Sequence, residues 1–214
     1  MTKYGIIHNI GKMAHVSIVE VLILRNNRDE NQLLNEGTIP EDWKDQSDKL
    51  RQKDFEAKWV AHNRKRYYGY KDHVKADEHT KLITGYKVTP ANVHDSEMIG
   101  SLIDKRDRGQ KMYADSAYRI EKIENELNAK NLISMIHEKG YRKKSFIKAQ
   151  QKRNKKKSKM RVRVEHIFGF MTNSMNRMHI RCQNFVRADV TIGLMNLTYN
   201  LFRLTQIKVN LNTR

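Results

Sequence analysis

Asp115 is the residue of this sequence that is best placed to do chemistry. It closes the stretch KMYAD (111–115), which reads as a short buried strand, and Ser116 is a suitable N-cap for a helix at 119–130. In open α/β sheets, ligands bind beyond the carboxyl ends of the strands, near helix N-termini. A carboxylate at that position is well placed to hold a metal ion. The alternative is that Asp115 only caps a turn.

A second carboxylate, Glu165, lies in RVRVEHIFGFM (161–171), inside a helix that the pattern predicts at 161–178. Two-metal phosphoryl transfer requires carboxylates that converge from distant chain positions, because metals roughly 3.5–4 Å apart hold the attacking and leaving oxygens. Mg²⁺ prefers hard oxygen ligands and keeps several waters, so only a few acids are needed. Fifty residues separate Asp115 from Glu165.

The surrounding elements predict an α/β fold with a mixed sheet that positions these acids. Apolar and alternating stretches predict strands at 13–24, 67–76, 81–89, 111–115 and 131–136. Amphipathic stretches predict helices at 94–109, 119–130 and 161–178. Residues 187–204 are apolar almost all round, which predicts a buried closing helix. The charged residues 25–66 form an excursion between the first two strands.

Composition restricts the class of protein. The 214 residues carry a net charge of +18, which indicates a polyanionic partner, most often nucleic acid. The single cysteine, Cys182, excludes a disulfide framework or a cysteine zinc site within the chain. No apolar run reaches the roughly 18 residues of a membrane span, and the N-terminus has no signal-peptide core. We therefore expect a cytoplasmic protein.

Residues 139–163 concentrate the positive charge. Thirteen of these 25 residues are Lys or Arg and none is acidic. We interpret the segment as a basic loop that contacts the phosphate backbone, and a merely solvated loop is the alternative. Few aromatic side chains are interleaved, so its binding should depend on salt more than on base sequence.

Several stretches are specific in combination and in this order: YYGYKDHVKAD, VTPANVHDSEM, YADSAY, VEHIFG and GLMNLTYNLFRL. With them, the sequence from about Gly11 to about Leu204 resembles the catalytic domain of bacterial insertion-sequence transposases of the DDE type. It is most similar to the insertion sequence five family. The resemblance implies a single ribonuclease H-like domain over residues 1–214, with a mixed sheet flanked by helices.

In that family three acids hold the catalytic metals, and the resemblance assigns the second to Asp115 and the third to Glu165. The first acid would fall in KMAHVSIVEV, where this sequence has His15 instead of aspartate. An imidazole offers a nitrogen and no negative charge. Glu20 should face away from His15 and should not replace the acid. The implied cofactor is Mg²⁺, two ions by family, with Mn²⁺ as the alternative.

The resemblance also implies DNA as the partner, both the ends of the element and the target DNA. The assembly that it suggests is a homodimer. Bacterial relatives act at the nucleoid, and no membrane partner is expected. The expected DNA-binding residues are basic or imidazole side chains on the second strand and in the basic segment: Lys71, His73, Arg142, Lys143, Lys144, Lys155, Lys156, Lys157, Arg161 and Arg163.

The leading hypothesis is a transposase that cleaves DNA and transfers strands, in a copy truncated at its N-terminus and impaired by His15. A non-enzymatic nucleic-acid-binding domain with the same fold is the alternative. A structure-specific nuclease without the joining step is the third. Mg²⁺-dependent cleavage would separate the second from the other two.

Overall fold

The computed structural model describes residues 6–8, 10–22, 24–138, 148–175 and 178–212. A seven-stranded sheet forms its centre, built on β1, Gly11–Val21. The other strands are β2 Lys58–His62, β3 Lys65–Asp77, β4 Ile83–Pro90, β5 Lys111–Tyr113, β6 Ile133–Ser134 and β7 His179–Ile180.

The order of the strands is that of a ribonuclease H-like sheet. β3 pairs antiparallel along one edge of β1, and both β2 and β4 pair antiparallel with the outer edge of β3. On the other edge of β1, β5 pairs parallel with its start and β7 pairs parallel with its end. β6 then pairs parallel with β5. The expected mixed α/β sheet flanked by helices is confirmed.

Seven α-helices accompany the sheet in the described ranges: α1 Arg28–Asn35, α2 Glu41–Lys44, α3 Ser47–Gln52, α4 Ile99–Leu102, α5 Glu121–Ala129, α6 Lys148–Ser174 and α7 Phe185–Asn212. The predicted helix 94–109 is broken: only α4 is α-helical, between short 3₁₀ turns at Asp95–Glu97 and Lys105–Asp107. None of the described helices is long and apolar enough to cross a membrane.

Alternation along β1 divides the core between the two faces of the sheet. Met13 and Val19 belong to a cluster with Ile167 and Phe168 of α6 and Ile192 of α7, on what we call the α6 face. Ala14 belongs to the other cluster, on the α5 face, whose further members come from α4, β5, α5 and the segments around them: Ile99, Ile103, Met112, Ala114, Tyr118, Ile123, Leu127, Leu132 and Ile136.

The charged excursion 25–66 is structured and is anchored by one carboxylate. The Asp54 side chain accepts hydrogen bonds from the backbone N–H of Ala57 (3.0 Å) and Asn184 (3.2 Å) and from the hydroxyl of Tyr70. Tyr70 is buried in β3 and Asn184 precedes α7. Asp54 therefore ties α1–α3 to the sheet and to the last helix.

The predicted basic loop at 139–163 is wrong for its second part, because residues from Lys148 onward belong to α6. Lys, Arg and Gln are good helix formers, and neither Gly nor Pro occurs between residues 148 and 168. The helix is also fastened at its inner side, where Asn154 Oδ1 accepts from the N–H of Glu138 at 3.0 Å. Residues 139–147 lie outside the described part of the chain.

α7 departs from the expected buried helix, since only one side of it is covered. Ala188, Ile192 and Tyr199 are buried against the sheet. The opposite side exposes a row of aliphatic side chains: Val186, Val190, Leu194, Leu197 and Leu201.

Candidate active site

The parallel pairing of β1 with β5 brings His15 and Asp115 together. Gly11 lies opposite Lys111 and Met13 opposite Tyr113. The same offset of 100 residues places His15 level with Asp115, just beyond the last paired residue of β5. Both positions share the alternation of Met13, so both belong to the α6 face.

A small cavity of about 10 Å³ joins these residues to α6. Its polar wall consists of His15, Asp115, His137 and Lys157, and Val164 of α6 closes it. The ring of His15 also contacts the ring of Phe168, with 5.7 Å between centroids. The predicted first and second acid positions therefore meet beside the helix that carries the third.

Asp115 itself is half-buried and caps a turn. Its Oδ1 accepts from the backbone N–H of Ser116 at 2.6 Å, at the start of the 3₁₀ turn Ser116–Tyr118. The predicted N-cap role of Ser116 is wrong, because α5 begins only at Glu121, preceded by Ile120. The capping role of Asp115 is thus real, and it holds the carboxyl group at the cavity.

Glu165 stands next to Val164 on α6, and its side chain is exposed. At 100° per residue, Glu165 lies about 60° around the helix from Phe168, which touches His15. The helix thus brings the segment of Glu165 beside the cavity, while Glu165 is not among the residues that line it.

Two side chains that line the cavity, Lys157 and His137, were not predicted to belong to it. Lys157 was expected to contact DNA, yet it points inward, and its Nζ donates to the carbonyl of Ile136 at 2.7 Å. Burial, followed by the nearby Arg119, lowers the pKa of Lys157. His137 lies 3.3 Å from the carbonyl of Ala114 through Nδ1 and 3.2 Å from Ser158 Oγ through Nε2. The angular position of Lys157 on the helix distinguishes it from the outward lysines beside it. That signal can be used only when the segment is known to be helical.

Lys71 and His73 do not line this cavity, and both are buried, so their role at the DNA stays a prediction. They alternate with Val74, which pairs with His15, so they lie on the α5 face. Lys71 Nζ binds the carboxylate of Asp95 at 2.8 Å. His73 is only 1% exposed, and its Nε2 lies 2.9 Å from the hydroxyl oxygen of Thr89. Both side chains are occupied in holding the sheet together.

The outward cations of α6 form a continuous basic stripe: Lys148, Lys152, Lys155, Lys156, Lys159 and Arg163. At 100° per residue they fall within about 100° of the helix circumference, over roughly 22 Å of its length. In the described part of the chain, none of the six forms an ion pair with a carboxylate. Arg161 lies on the same helix, and Arg142, Lys143 and Lys144 lie outside the described residues.

The expected independence of Glu20 from the site is consistent with its position. Glu20 lies on the α5 face, opposite in alternation to His15, and pairs with Arg25 at 3.0 Å. Within the described ranges, no group of three or more His, Cys, Asp or Glu side chains is arranged to hold a metal ion.

Comparison with known proteins identifies what the chain is similar to. Residues 45–201 match the family described as "Transposase DDE domain". The chain is 27% identical over 155 residues to the transposase for insertion sequence element IS1106 of Neisseria meningitidis serogroup B. That match covers 71% of this chain and 52% of the relative, so the chain spans about half the length of the relative. No solved structure matches. The family match includes Asp115 and Glu165 and begins after β1, which carries His15.

Proposed function

Since the chain belongs to the family of transposase DDE domains, we propose that it binds DNA at a site built for strand cleavage and transfer, in which the first metal-binding acid is missing. One observation carries this proposal: His15, Asp115 and the α6 segment before Glu165 meet at a single cavity. The parallel β1–β5 pair fixes the first two at the same level of the sheet.

The side chains at the cavity can be compared with the ligands that the family's metal ions require. DDE transposases use divalent metal ions, and by family the ions are two Mg²⁺. Mg²⁺ binds through anionic oxygens, whereas the polar wall of the cavity offers one carboxylate, two imidazoles and one ammonium group. Even with Glu165 added, the set holds two carboxylates where three are needed. The residues present therefore do not fit two Mg²⁺ ions, and Mn²⁺, which accepts nitrogen more readily, is the better alternative.

What remains for this chain is recognition of the DNA backbone, which we assign to the basic stripe of α6. Six cations in one row, with no ion pair to a described carboxylate, match a polyanion that carries a charge every few ångströms. Because α6 is a helix already, the stripe is arranged before DNA arrives. The same helix carries Glu165, two residues after Arg163, the last cation of the stripe.

The salt dependence of binding tests this assignment. If all six cations meet phosphates, the slope of log K against log salt should be about −5 on duplex DNA, and the triple variant Lys155→Ala, Lys156→Ala, Lys159→Ala should weaken it to about −3. Fluorescence anisotropy with a short duplex of arbitrary sequence measures both.

The matched control removes three exposed cations outside the stripe, in Lys105→Ala, Arg108→Ala, Lys122→Ala. It has the same net charge as the stripe variant. Equal loss of slope in the two variants would mean that binding follows net charge alone and would refute a role for the stripe.

A non-enzymatic DNA-binding domain is the second candidate, and His15 is the observation that favours it. Both candidates predict DNA binding. They differ in whether restoring a carboxylate at position 15 creates Mg²⁺-dependent cleavage, which the enzyme-derived site predicts.

We further propose that two copies of the chain associate through the outer side of α7. Val186, Val190, Leu194, Leu197 and Leu201 are each between 53% and 70% exposed. Their spacing of four, four, three and four residues gives one straight row that can pack against its own copy. Burying five such side chains removes on the order of 300–600 Å² per copy, most of the apolar centre of an interface of roughly 800 Å² per partner.

Two finer assignments complete the proposal. Membership in the insertion sequence five family rests on the order of the motifs YYGYK, VHDS, YADSAY and VEHIFG. Action on chromosomal DNA would place the protein at the bacterial nucleoid.

A further inference from the structure

A second group of basic side chains lies at the turn between β3 and β4, where the turn meets α6 and α7. It consists of Lys81 from the turn, Arg163 from α6 and Arg203 from α7, with the imidazole of His166 of α6 beside Lys81; we call it the turn cluster. Lys81 Nζ lies 3.5 Å from His166 Nδ1. Arg203 Nε donates to the carbonyl of Thr80 at 2.7 Å, directly before Lys81. Three elements distant in sequence thus present their cationic ends at one place.

The turn that carries Lys81 is held in a fixed shape. Lys81 has a φ of +63°, in the left-handed region, and its N–H donates to the carbonyl of Asp77 at 3.0 Å. The hydroxyl of Tyr199 on α7 donates to the carbonyl of Lys81 at 3.0 Å. Asp77 accepts from the backbone N–H of Thr80 at 2.9 Å and also binds Lys12 at 3.3 Å. The backbone around Lys81 is therefore hydrogen-bonded to β3 and to α7, so the Cα from which the Lys81 side chain extends is held in place.

The positive charge of the turn cluster is not balanced by a carboxylate among the described residues. In the part of the chain that the structure describes, no carboxylate forms an ion pair with Lys81, Arg163 or Arg203. Burial lowers the pKa of Lys81, and repulsion from Arg203 and Arg163 lowers it further. Like charges gathered at a half-buried place destabilise the free protein, and an anion bound among them would remove that cost.

We infer that the turn cluster is a binding site for a phosphate group and that its occupant is a phosphodiester of the DNA backbone. Guanidinium groups bind phosphate oxygens in a bidentate manner, and an ammonium adds a point charge. Arg163 is also the last residue of the basic stripe, so a DNA backbone that follows the stripe reaches the cluster without a break. The occupant, though not the site, rests on the proposed DNA-binding function.

The position of the site would give it a role in placing DNA. Arg163 is two residues from Glu165 on the same helix, and Phe168 of that helix touches His15. A phosphate fixed at Arg163 and Lys81 would hold the backbone at a set distance from the cavity. The stripe would contribute most of the affinity for DNA, and the cluster would fix the position of the DNA backbone relative to the cavity.

The first test compares salt slopes for a short duplex of arbitrary sequence. Lys81→Asn removes the charge with a residue that tolerates a positive φ, and the slope should weaken by about 1, the effect of losing one phosphate contact. Lys81→Arg should keep the slope of the unaltered chain. Lys122→Asn, an exposed lysine on α5, is the charge-matched control and should leave it unchanged.

The second test uses the unaltered chain and so does not depend on how a variant folds. Acetylation of lysine amines, read by mass spectrometry, should be slowed at Lys81 much more strongly by saturating duplex DNA than by millimolar inorganic phosphate at equal ionic strength. Protection by inorganic phosphate with none by DNA would overturn the DNA assignment and indicate a site for free phosphate.

The outcomes separate this inference from the function on which its occupant rests. If the unaltered chain binds no DNA, the proposed function and the DNA occupant fail together. If it binds DNA with the expected slope while Lys81→Asn keeps that slope and Lys81 is not protected, only the turn cluster is refuted.

Discussion

At the scale of single residues, the wall of the cavity explains why one substitution matters so much. An aspartate at position 15 would stand level with Asp115, and two carboxylates on adjacent parallel strands would face α6 together. His15 replaces one of them with a nitrogen ligand that carries no negative charge, and Lys157 adds an ammonium group to the same cavity wall. Both differences act against a divalent cation, the first by removing a ligand and the second by repulsion.

Two neighbouring residues of β3, Asp72 and His73, are buried on opposite faces of the sheet. Their titration changes the free energy of unfolding in opposite directions as the pH rises. Burial raises the pKa of Asp72 to about 7, only partly offset by its hydrogen bond from Asn196 (3.2 Å), and one carboxyl oxygen has no partner among the described residues. Burial lowers the pKa of His73 to about 4.

The signs follow from proton linkage. The folded chain keeps the Asp72 proton that the unfolded chain releases, so this carboxyl makes the free energy of unfolding fall as the pH rises from about 4 to about 7. The unfolded chain binds a proton at His73 that the folded chain excludes, so this imidazole makes the free energy of unfolding rise between pH about 4 and 6.5. The two contributions nearly cancel in the unaltered chain.

Replacing one of the two groups should therefore leave the pH dependence caused by the other unopposed. In Asp72→Asn the free energy of unfolding should drop on acidification from about pH 6.5 to 4, by up to roughly 3 kcal/mol more than in the unaltered chain, at 1.36 kcal/mol per pKa unit. In His73→Gln it should instead fall as the pH rises from about 4 to 7. Urea unfolding across this range measures both, and other titrating groups cancel in the difference. Three superimposable pH profiles would contradict the opposed roles.

At the scale of elements, the basic segment shows why sequence patterns mislead where charge is dense. A run of lysines has no apolar periodicity, so residues 148–160 carried no helical signal beyond the propensity of Lys and Gln. The helix is set by tertiary contacts at its inner side: Asn154 with Glu138, Arg153 with Glu138 at 2.8 Å, and Lys157 with Ile136. Those contacts also decide which lysines face outward.

The outer side of α7 leads to the prediction that belongs to this scale. Size-exclusion chromatography with light scattering should find a dimer of the unaltered chain. In the dimer, the exposed aliphatic row from Val186 to Leu201 would be buried against the same row of a second copy. The double variant Leu194→Lys, Leu197→Lys should be monomeric and should keep its helical circular dichroism.

Its control, Gln206→Lys, changes an exposed position of α7 that lies on another side of the helix from the row. A monomeric unaltered chain at high micromolar concentration would rule out a second copy as the occupant of this surface. Dissociation by the control as well would mean that charge on α7, and not the aliphatic row, governs assembly.

Strand positions were predictable because alternation and apolar runs are local signals. All five predicted strands exist, and β5 ends at Tyr113, two residues earlier than expected. β2 and β7 were not predicted: β2 lies in a charged stretch, and β7 has only two residues, His179 and Ile180, that pair with the end of β1. Such strands exist because a partner edge is available, which no local pattern reports.

The site was predictable to a similar extent. The convergence of His15 with Asp115 follows from two strands with the right neighbours, and motif order indicated it. The inward turn of Lys157 and the opposite face of Lys71 and His73 required the sheet register and the helical phase, which the sequence does not display.

At the scale of the whole molecule, the two faces of the sheet treat positive charge differently. On the α5 face the two buried lysines of β3 are paired: Lys71 with Asp95, and Lys75 with Asp104 and Asp107. Beside the α6 face, the basic stripe and the turn cluster have no such partners among the described residues. A polyanion is thus drawn to the side of the molecule that holds the cavity.

The central claim is that His15 occupies the place of a metal-binding acid in an otherwise DDE-type site. The most direct measurement is Mg²⁺-dependent nicking of supercoiled plasmid, which reports a single cut and needs no particular element end. The unaltered chain should not nick, His15→Asp should gain nicking, and His15→Asp with Asp115→Asn should lose it again. Nicking by the unaltered chain in Mg²⁺, at the rate of His15→Asp and abolished by Asp115→Asn, would contradict the account.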